Sequence, residues 1–160
     1  MEMVTEYAAW LERVRSTYDT VRFTCRHRLG DDVSDARVAV RVVAGLIGSP
    51  RVFRYQGLTY SGKVGSLVEP LITEAVAGTL PGCRDWAVLR DALTAVPSTL
   101  QRVFILTCVH GFDDDQVACA LDCSSPEAAR LRRDVLRCMS DIAELAVHQV
   151  PPTSPEGASV

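Results

Sequence analysis

Four arginines stand close together near the carboxyl end of this sequence. Arg130, Arg132, Arg133 and Arg137 share one stretch with Ser125 and Glu127. Side chains three and four residues apart lie on one face of a helix. Guanidinium groups present planar N–H forks that match phosphate oxygens. The chemistry on offer is therefore contact with a nucleic-acid backbone, with Ser125 and Glu127 as polar groups at the start of the same helix. Other chemistry is thinly represented. The six cysteines, Cys25, Cys83, Cys108, Cys119, Cys123 and Cys138, contain no CxxC pair. The nearest approach to a ligand pattern, Cys108-Val-His110 with Cys119 and Cys123, departs from zinc spacing. They read as small buried hydrophobes, and no metal or other cofactor is expected. His27, His110 and His148 lie far apart and accompany no nucleophile motif. Ser61-Gly62-Lys63 lacks the upstream glycines and the following Ser or Thr of a phosphate-binding loop. An enzyme is not expected.

The whole chain bounds these readings. Its 160 residues, 48% hydrophobic and 23% charged, suffice for one ordinary domain or two small helical ones and exclude wholesale disorder. The net charge of −3 argues neither for nor against a nucleic-acid partner. No apolar run reaches the ~18 residues of a membrane span. The start, Met1-Glu-Met-Val-Thr-Glu, shows no basic region followed by an apolar stretch, so a cytoplasmic location without a membrane partner is expected. In that reducing setting an even number of cysteines does not imply disulfides.

Helical periods dominate. Tyr7, Leu11, Val14, Tyr18, Val21 and Cys25, with Trp10 beside them, mark one long helix or two abutting ones over 2–29. Gly30-Asp31-Asp32 interrupts it. Asp32 or Ser34 is the expected cap of a second helix to about Leu46, with Val33, Ala36, Val40 and Val43 on one face. Residues 51–62 have no helical period and suggest a short extended piece. A third helix covers about 63–77, with Pro70 expected to kink it or to start its second half. Gly78 to Gly82 is the clearest break and the expected domain boundary. Beyond it come helices over 85–95 and 98–110, a stop at Gly111, a short helix capped by Asp113 or Asp114 and ending at Leu121, and a last helix to about His148. Ser125 is its expected cap, with Pro126 at the first helical position. The tail from 150 is Pro- and Ser-rich and reads as disordered. The expected class is all-α, with two small helical lobes, 1–80 and 81–149.

Residues 112–138 have the length grammar of a helix-turn-helix, in which the first helix crosses the phosphate backbone and the second enters the major groove. Ala118 permits close approach of the two helices, and Leu121 and Ala128 fill the wedge between them. A family resemblance covers the same ground. Ala92-Leu-Thr-Ala-Val-Pro97, Arg102-Val-Phe-Ile-Leu106, Gly111-Phe112, Gln116-Val-Ala118, Leu121, Cys123-Ser124 and Ala128 follow in order, without a gap. The segment 92–137 resembles the fourth-region domain of sigma factors of the extracytoplasmic-function type. Leu93, Pro97, Arg102, Gly111, Ala118 and Leu121 match at structural positions. The resemblance implies a helix-turn-helix that reads an upstream promoter element and contacts RNA polymerase. Its DNA-contact positions fall on Ser125, Glu127, Arg130, Arg132, Arg133 and Arg137.

Departures from the family gather on the side that would face DNA. Glu127-Ala-Ala-Arg-Leu-Arg132 replaces the usual Thr-Val-Lys-Ser-Arg-Leu, and Asp113-Asp114-Asp115 places three acids where phosphates should approach. Residues 98–138 hold five arginines against six acids, a poor balance for a surface whose affinity comes from neutralising phosphates. The first half resembles the family's second region through Tyr18 to Leu46, with Gly30-Asp31-Asp32 and Asp35-Ala36. It has Arg37-Val-Ala-Val40-Arg41 in place of the acidic polymerase-docking helix. The 51–72 stretch lacks the Trp and Asn of the promoter-melting segment. From Arg13 to Arg54 nine arginines face four aspartates, a basic surface suited to DNA or an acidic protein. Phe53, Tyr55 and Tyr60 read as core anchors more readily than as base-stacking groups. The function expected is a sigma-like transcription regulator acting through DNA and RNA polymerase core. The alternative is a sigma-like interaction module that has lost promoter recognition, its partner being polymerase, another regulatory protein or a second copy of itself.

Overall fold

The computed structural model describes residues 3–49 and 62–148, with the side chains of Gly62 and Lys63 excepted. Everything regular within those residues is helical, so the chain is all-α. Seven helices follow in order: α1 Thr5–Leu29, α2 Asp32–Ile47, α3 Gly62–Ala77, α4 Trp86–Thr94, α5 Ser98–Phe104, α6 Asp114–Leu121 and α7 Ser125–Val147. The extended piece expected over 51–62, the roles given to Phe53, Tyr55 and Tyr60, and the tail from 150 lie outside the described residues, Gly62 apart, which opens α3. Among those described, no single helix is long and apolar enough to cross a membrane.

The stripe of α1 is its core face, with Tyr7, Leu11, Val14, Tyr18, Val21 and Cys25 all buried and Trp10 buried among them. Gly30 ends the helix at φ 65°, a left-handed conformation that glycine adopts without a Cβ clash. Its N–H donates to the Arg26 carbonyl. The cap of α2 is Asp31, one residue before the expected Asp32. Its carboxylate accepts from the Val33 N–H at 3.1 Å and from the Ser34 hydroxyl at 2.7 Å. The connection is thus short, and Ser34 supports the cap instead of providing it.

Helix α2 packs on α1, α3, α4 and α7. Its buried set is accordingly wider than one stripe. Val38, Ala39, Val42, Leu46 and Ile47 are buried beside Val40 and Val43, whereas Val33 is exposed. One buried carboxylate ties it to α1: Asp35, with no solvent exposure, accepts from Arg22 Nε at 3.0 Å and Arg26 Nε at 3.4 Å. Helix α3 runs through Pro70 without a break in its assignment, and Glu69 on it pairs with Arg28 of α1 at 2.6 Å.

The 78–85 segment connects α3 to α4, and the halves on either side of it share one apolar core. Tyr7 and Trp10 of α1 meet Phe104 of α5, with ring centroids 6.1 and 4.5 Å away. The Tyr7 hydroxyl donates to the Leu93 carbonyl at 2.7 Å. Buried Gln101 accepts from the Val4 N–H at 2.9 Å and donates to the Val96 carbonyl at 2.8 Å. These contacts fasten the amino end of α1 to the α4–α5 corner. Past Phe104 the chain widens into a π-helical turn, Ile105–Val109, and Gly111 at φ 73° ends it. Ile105, Thr107, Cys108 and Val109 are all buried in that turn.

Candidate nucleic-acid interface

A second, small cluster of buried residues holds α6 against the first turns of α7. It consists of Val117, Ala118 and Ala128, flanked by Leu106, Phe112, Leu121 and Cys123. Alanines at the contact let two helices approach closely. The start of α6 is fixed by a capping box: Asp113 accepts from the Gln116 N–H at 2.8 Å, and the Gln116 side chain accepts from the Asp113 N–H at 2.9 Å. Its end is fixed by Asp122 at φ 54°, the single left-handed residue other than glycine among those described. Aspartate tolerates this conformation better than most residues. The Cys123 N–H then reaches back to the Ala118 carbonyl at 2.9 Å.

The cap of α7 is Ser124, not Ser125. Its hydroxyl accepts from the Glu127 N–H at 3.2 Å, and Pro126 follows within the first turn. Ser125, one position inside, donates its hydroxyl to Asp115 of α6. Two adjacent serines made either a plausible cap in the sequence. The backbone N–H that is reached decides between them.

The four arginines of α7 do not share one face. The helix buries Ala128, Val135, Met139, Ile142 and Ala146. At 100° per residue, Arg130, Arg133 and Arg137 fall opposite that stripe, and all three are exposed. Arg132 leans instead toward α6 and pairs with Asp114 at 3.2 Å. Arg130 is clasped by Glu127 on one side and by Asp134, at 3.1 Å, on the other. The Arg130 guanidinium holds the Glu127 carboxyl below the usual carboxylate range. The i,i+3 and i,i+4 spacing of this triplet is a readable signal of self-pairing. Arg133 and Arg137 have no ion pair among the described residues, and neither has Arg102 of α5, which is also exposed.

The cysteines divide by environment. Cys25 and Cys108 are buried and Cys119 is exposed. Among the described residues no three His, Cys, Asp or Glu side chains gather as a metal site. His110 meets Glu6 of α1 at 2.8 Å, which ties the π-helical turn to the start of the chain. Compared with protein-family models, with curated proteins and with solved structures, the chain finds no match in any of the three.

Proposed function

We propose that this chain is a sigma-like transcription regulator that places α7 against duplex DNA through Arg133 and Arg137, with RNA polymerase core or another regulatory protein as its second partner. One observation carries the reading. Arg133 and Arg137 stand one helical turn apart on the face opposite the core, exposed and without an acid to neutralise them. The short α6, the connection through Asp122 and the alanine-lined contact with α7 support a helix-turn-helix use of the pair. Ser125, Arg130 and Arg132 act differently from the arginine edge: their donors already serve Asp115, Glu127, Asp134 and Asp114. DNA must displace those acids to reach them. Binding is therefore weak and its salt dependence shallow, because few phosphates are neutralised and each contributes about −0.9 to the slope of log affinity against log salt.

The test is a filter-binding titration on random duplex at low salt, with the Arg133→Ala, Arg137→Ala double variant beside the parent chain. The double variant is expected to lose most of its affinity and about two units of salt slope. No binding at about 10 μM protein, or affinity indifferent to both alanines, removes the DNA contact. A second reading, an interaction module without promoter recognition, is favoured by the self-pairing of Glu127, Arg130 and Asp134. Co-purification separates the two. Polymerase subunits support the regulator, and one unrelated protein in their place supports the module.

A further inference from the structure

A cleft of about 880 Å³ opens between α1, α2, the 78–85 connector and α4, within the size range of small-molecule sites. Part of its wall is apolar, formed by Leu11 of α1 and by Val33, Ala36 and Val40 of α2. The sequence places those α2 residues on one face; Val40 is buried in the core, whereas Val33 is exposed and Ala36 part-buried at the cleft. Beside them the part-buried Trp86 is held flat by stacking nearly parallel on the buried Tyr18, 4.7 Å between centroids and 19° between planes.

The rest of the lining is rich in arginine, and its arginines are not equivalent. Arg22 is committed to the buried Asp35, and Arg90 to Asp91 at 3.3 Å. Arg37 and Arg84 make no ion pair among the described residues, Asp31 feeling the Arg37 charge only at longer range, and Arg84 Nε is buried without an acceptor. A buried N–H without an acceptor is costly, and it belongs to a guanidinium that no carboxylate neutralises by an ion pair. Cys83 ties the connector to α2, its thiol reaching the Arg37 carbonyl oxygen at 3.8 Å, and both arginines line the same cleft. The connector carrying Arg84 is tied down. Arg41 donates to the Pro81 and Gly82 carbonyls at 3.2 and 3.1 Å, and the Arg84 N–H donates to the Ala146 carbonyl at 2.9 Å. The guanidinium is thus presented from a fixed backbone, which lowers the ordering cost of binding. Asp19 and Asp85 also line the cleft without an ion pair. They oppose a polyanion and suit a ligand with a single anionic group and hydrogen-bond donors elsewhere.

We propose that this cleft binds a small aromatic anion, a planar ring carrying one phosphate or carboxylate, with the anion on Arg37 and Arg84 and the ring against Trp86. The full chain is titrated with adenosine monophosphate, with benzoate and with adenosine, read by tryptophan fluorescence and by calorimetry. Saturation by either anion at or below about 1 mM supports the site and identifies the head group. Arg37→Gln and Arg84→Gln, with unchanged far-UV circular dichroism, should each weaken that anion by about tenfold, the loss of one charge-assisted contact. Adenosine should bind at least about tenfold more weakly than its monophosphate. The proposal is overturned if neither anion saturates by about 1 mM, if adenosine binds as well as the monophosphate, or if both glutamine variants keep the parent affinity.

Discussion

The α1–α2 and α6–α7 pairs are built from the same parts and put them to opposite uses. Each joins two helices by a short turn, with a left-handed residue at the end of the first, Gly30 or Asp122. Each links an arginine of the longer helix to an aspartate of the shorter one, Arg22 and Arg26 to Asp35 or Arg132 to Asp114. In the first pair the carboxylate is sealed, and both helices bury valines in the shared core. In the second the Asp114 side chain keeps about a third of its exposure, and the contact is two alanines and a valine. Burial decides the outcome. A fully buried carboxylate is costly to strip of its arginines, whereas a pair exposed on both sides weakens with salt and adds little. The first pair is scaffold, and the second is a light clasp that leaves the far side of α7 open.

Two substitutions strain that contrast hardest. Asp35→Asn leaves Arg22, itself only about a third exposed, facing an amide instead of a carboxylate. It is expected to cost about 2–3 kcal/mol of unfolding free energy in urea titration. A loss no larger than that of an α6–α7 substitution would break the comparison. Ala128→Leu forces extra volume into the wedge, where Ala128 has no exposed surface. It should cost about 1–3 kcal/mol. Hydrogen exchange should locate that loss in α6 and the start of α7, with α1 and α2 amides still protected. Protection unchanged in α6 would mean that the two helices do not bear on each other at this alanine.

The same contrast explains what the sequence made legible. Periodicity is a property of one helix against one core, so α1, which buries a single broad face, was readable from Tyr7 to Cys25. Helix α2 meets four neighbours, and a one-stripe reading placed Val33 with the core when it stands exposed beside the cleft. Asp113 as a cap and Gly111 as a stop follow from local chemistry and were legible. Asp31 in place of Asp32, and Ser124 in place of Ser125, turn on which backbone N–H each side chain reaches. Within the candidate site, Arg130, Arg133 and Arg137 were legible as a stripe on the exposed face of the helix. The 100° step puts Arg132 on the α6 side, away from Arg130, Arg133 and Arg137, and the acid on α6 that holds it lies eighteen residues away. Asp35 gave no warning, because its partners belong to another helix. The π-helical turn at Ile105–Val109 leaves no signature in a run of apolar residues.

Smaller effects sharpen the comparison. Arg132→Ala removes a half-exposed pair and should cost at most about 1 kcal/mol, with the loss fading as salt is raised. Equal sensitivity at low and high salt would show that Arg132 acts through packing. The smallest effects appear against pH, and their signs differ between the two limbs. On the acid side, hydrogen bonds from Ser34 and from the Val33 N–H hold the Asp31 carboxyl below its ordinary value, and Arg130 does the same for Glu127. The unfolded chain therefore binds the proton first. The contribution is full above about pH 4, where unfolded carboxylates have ionised, and is lost as pH falls through the lower folded values. Both groups stand in water, so this limb is shallow.

On the alkaline side, burial pushes the Cys25 thiol up to about 11. The unfolded thiol ionises first, so that contribution is complete below about pH 8.5 and disappears as pH rises toward the folded value. Cys83 and Cys138 are raised by burial in the same direction. The melting temperature should thus be flat from about pH 5 to 8 and fall on both sides. Glu127→Gln should flatten the acid limb without touching the alkaline one. Cys25→Ala should lower stability throughout and also make the alkaline fall less steep. An alkaline limb unchanged by Cys25→Ala would mean that the α1–α2 interior admits water at that thiol, which erases the distinction between a sealed scaffold and an open clasp.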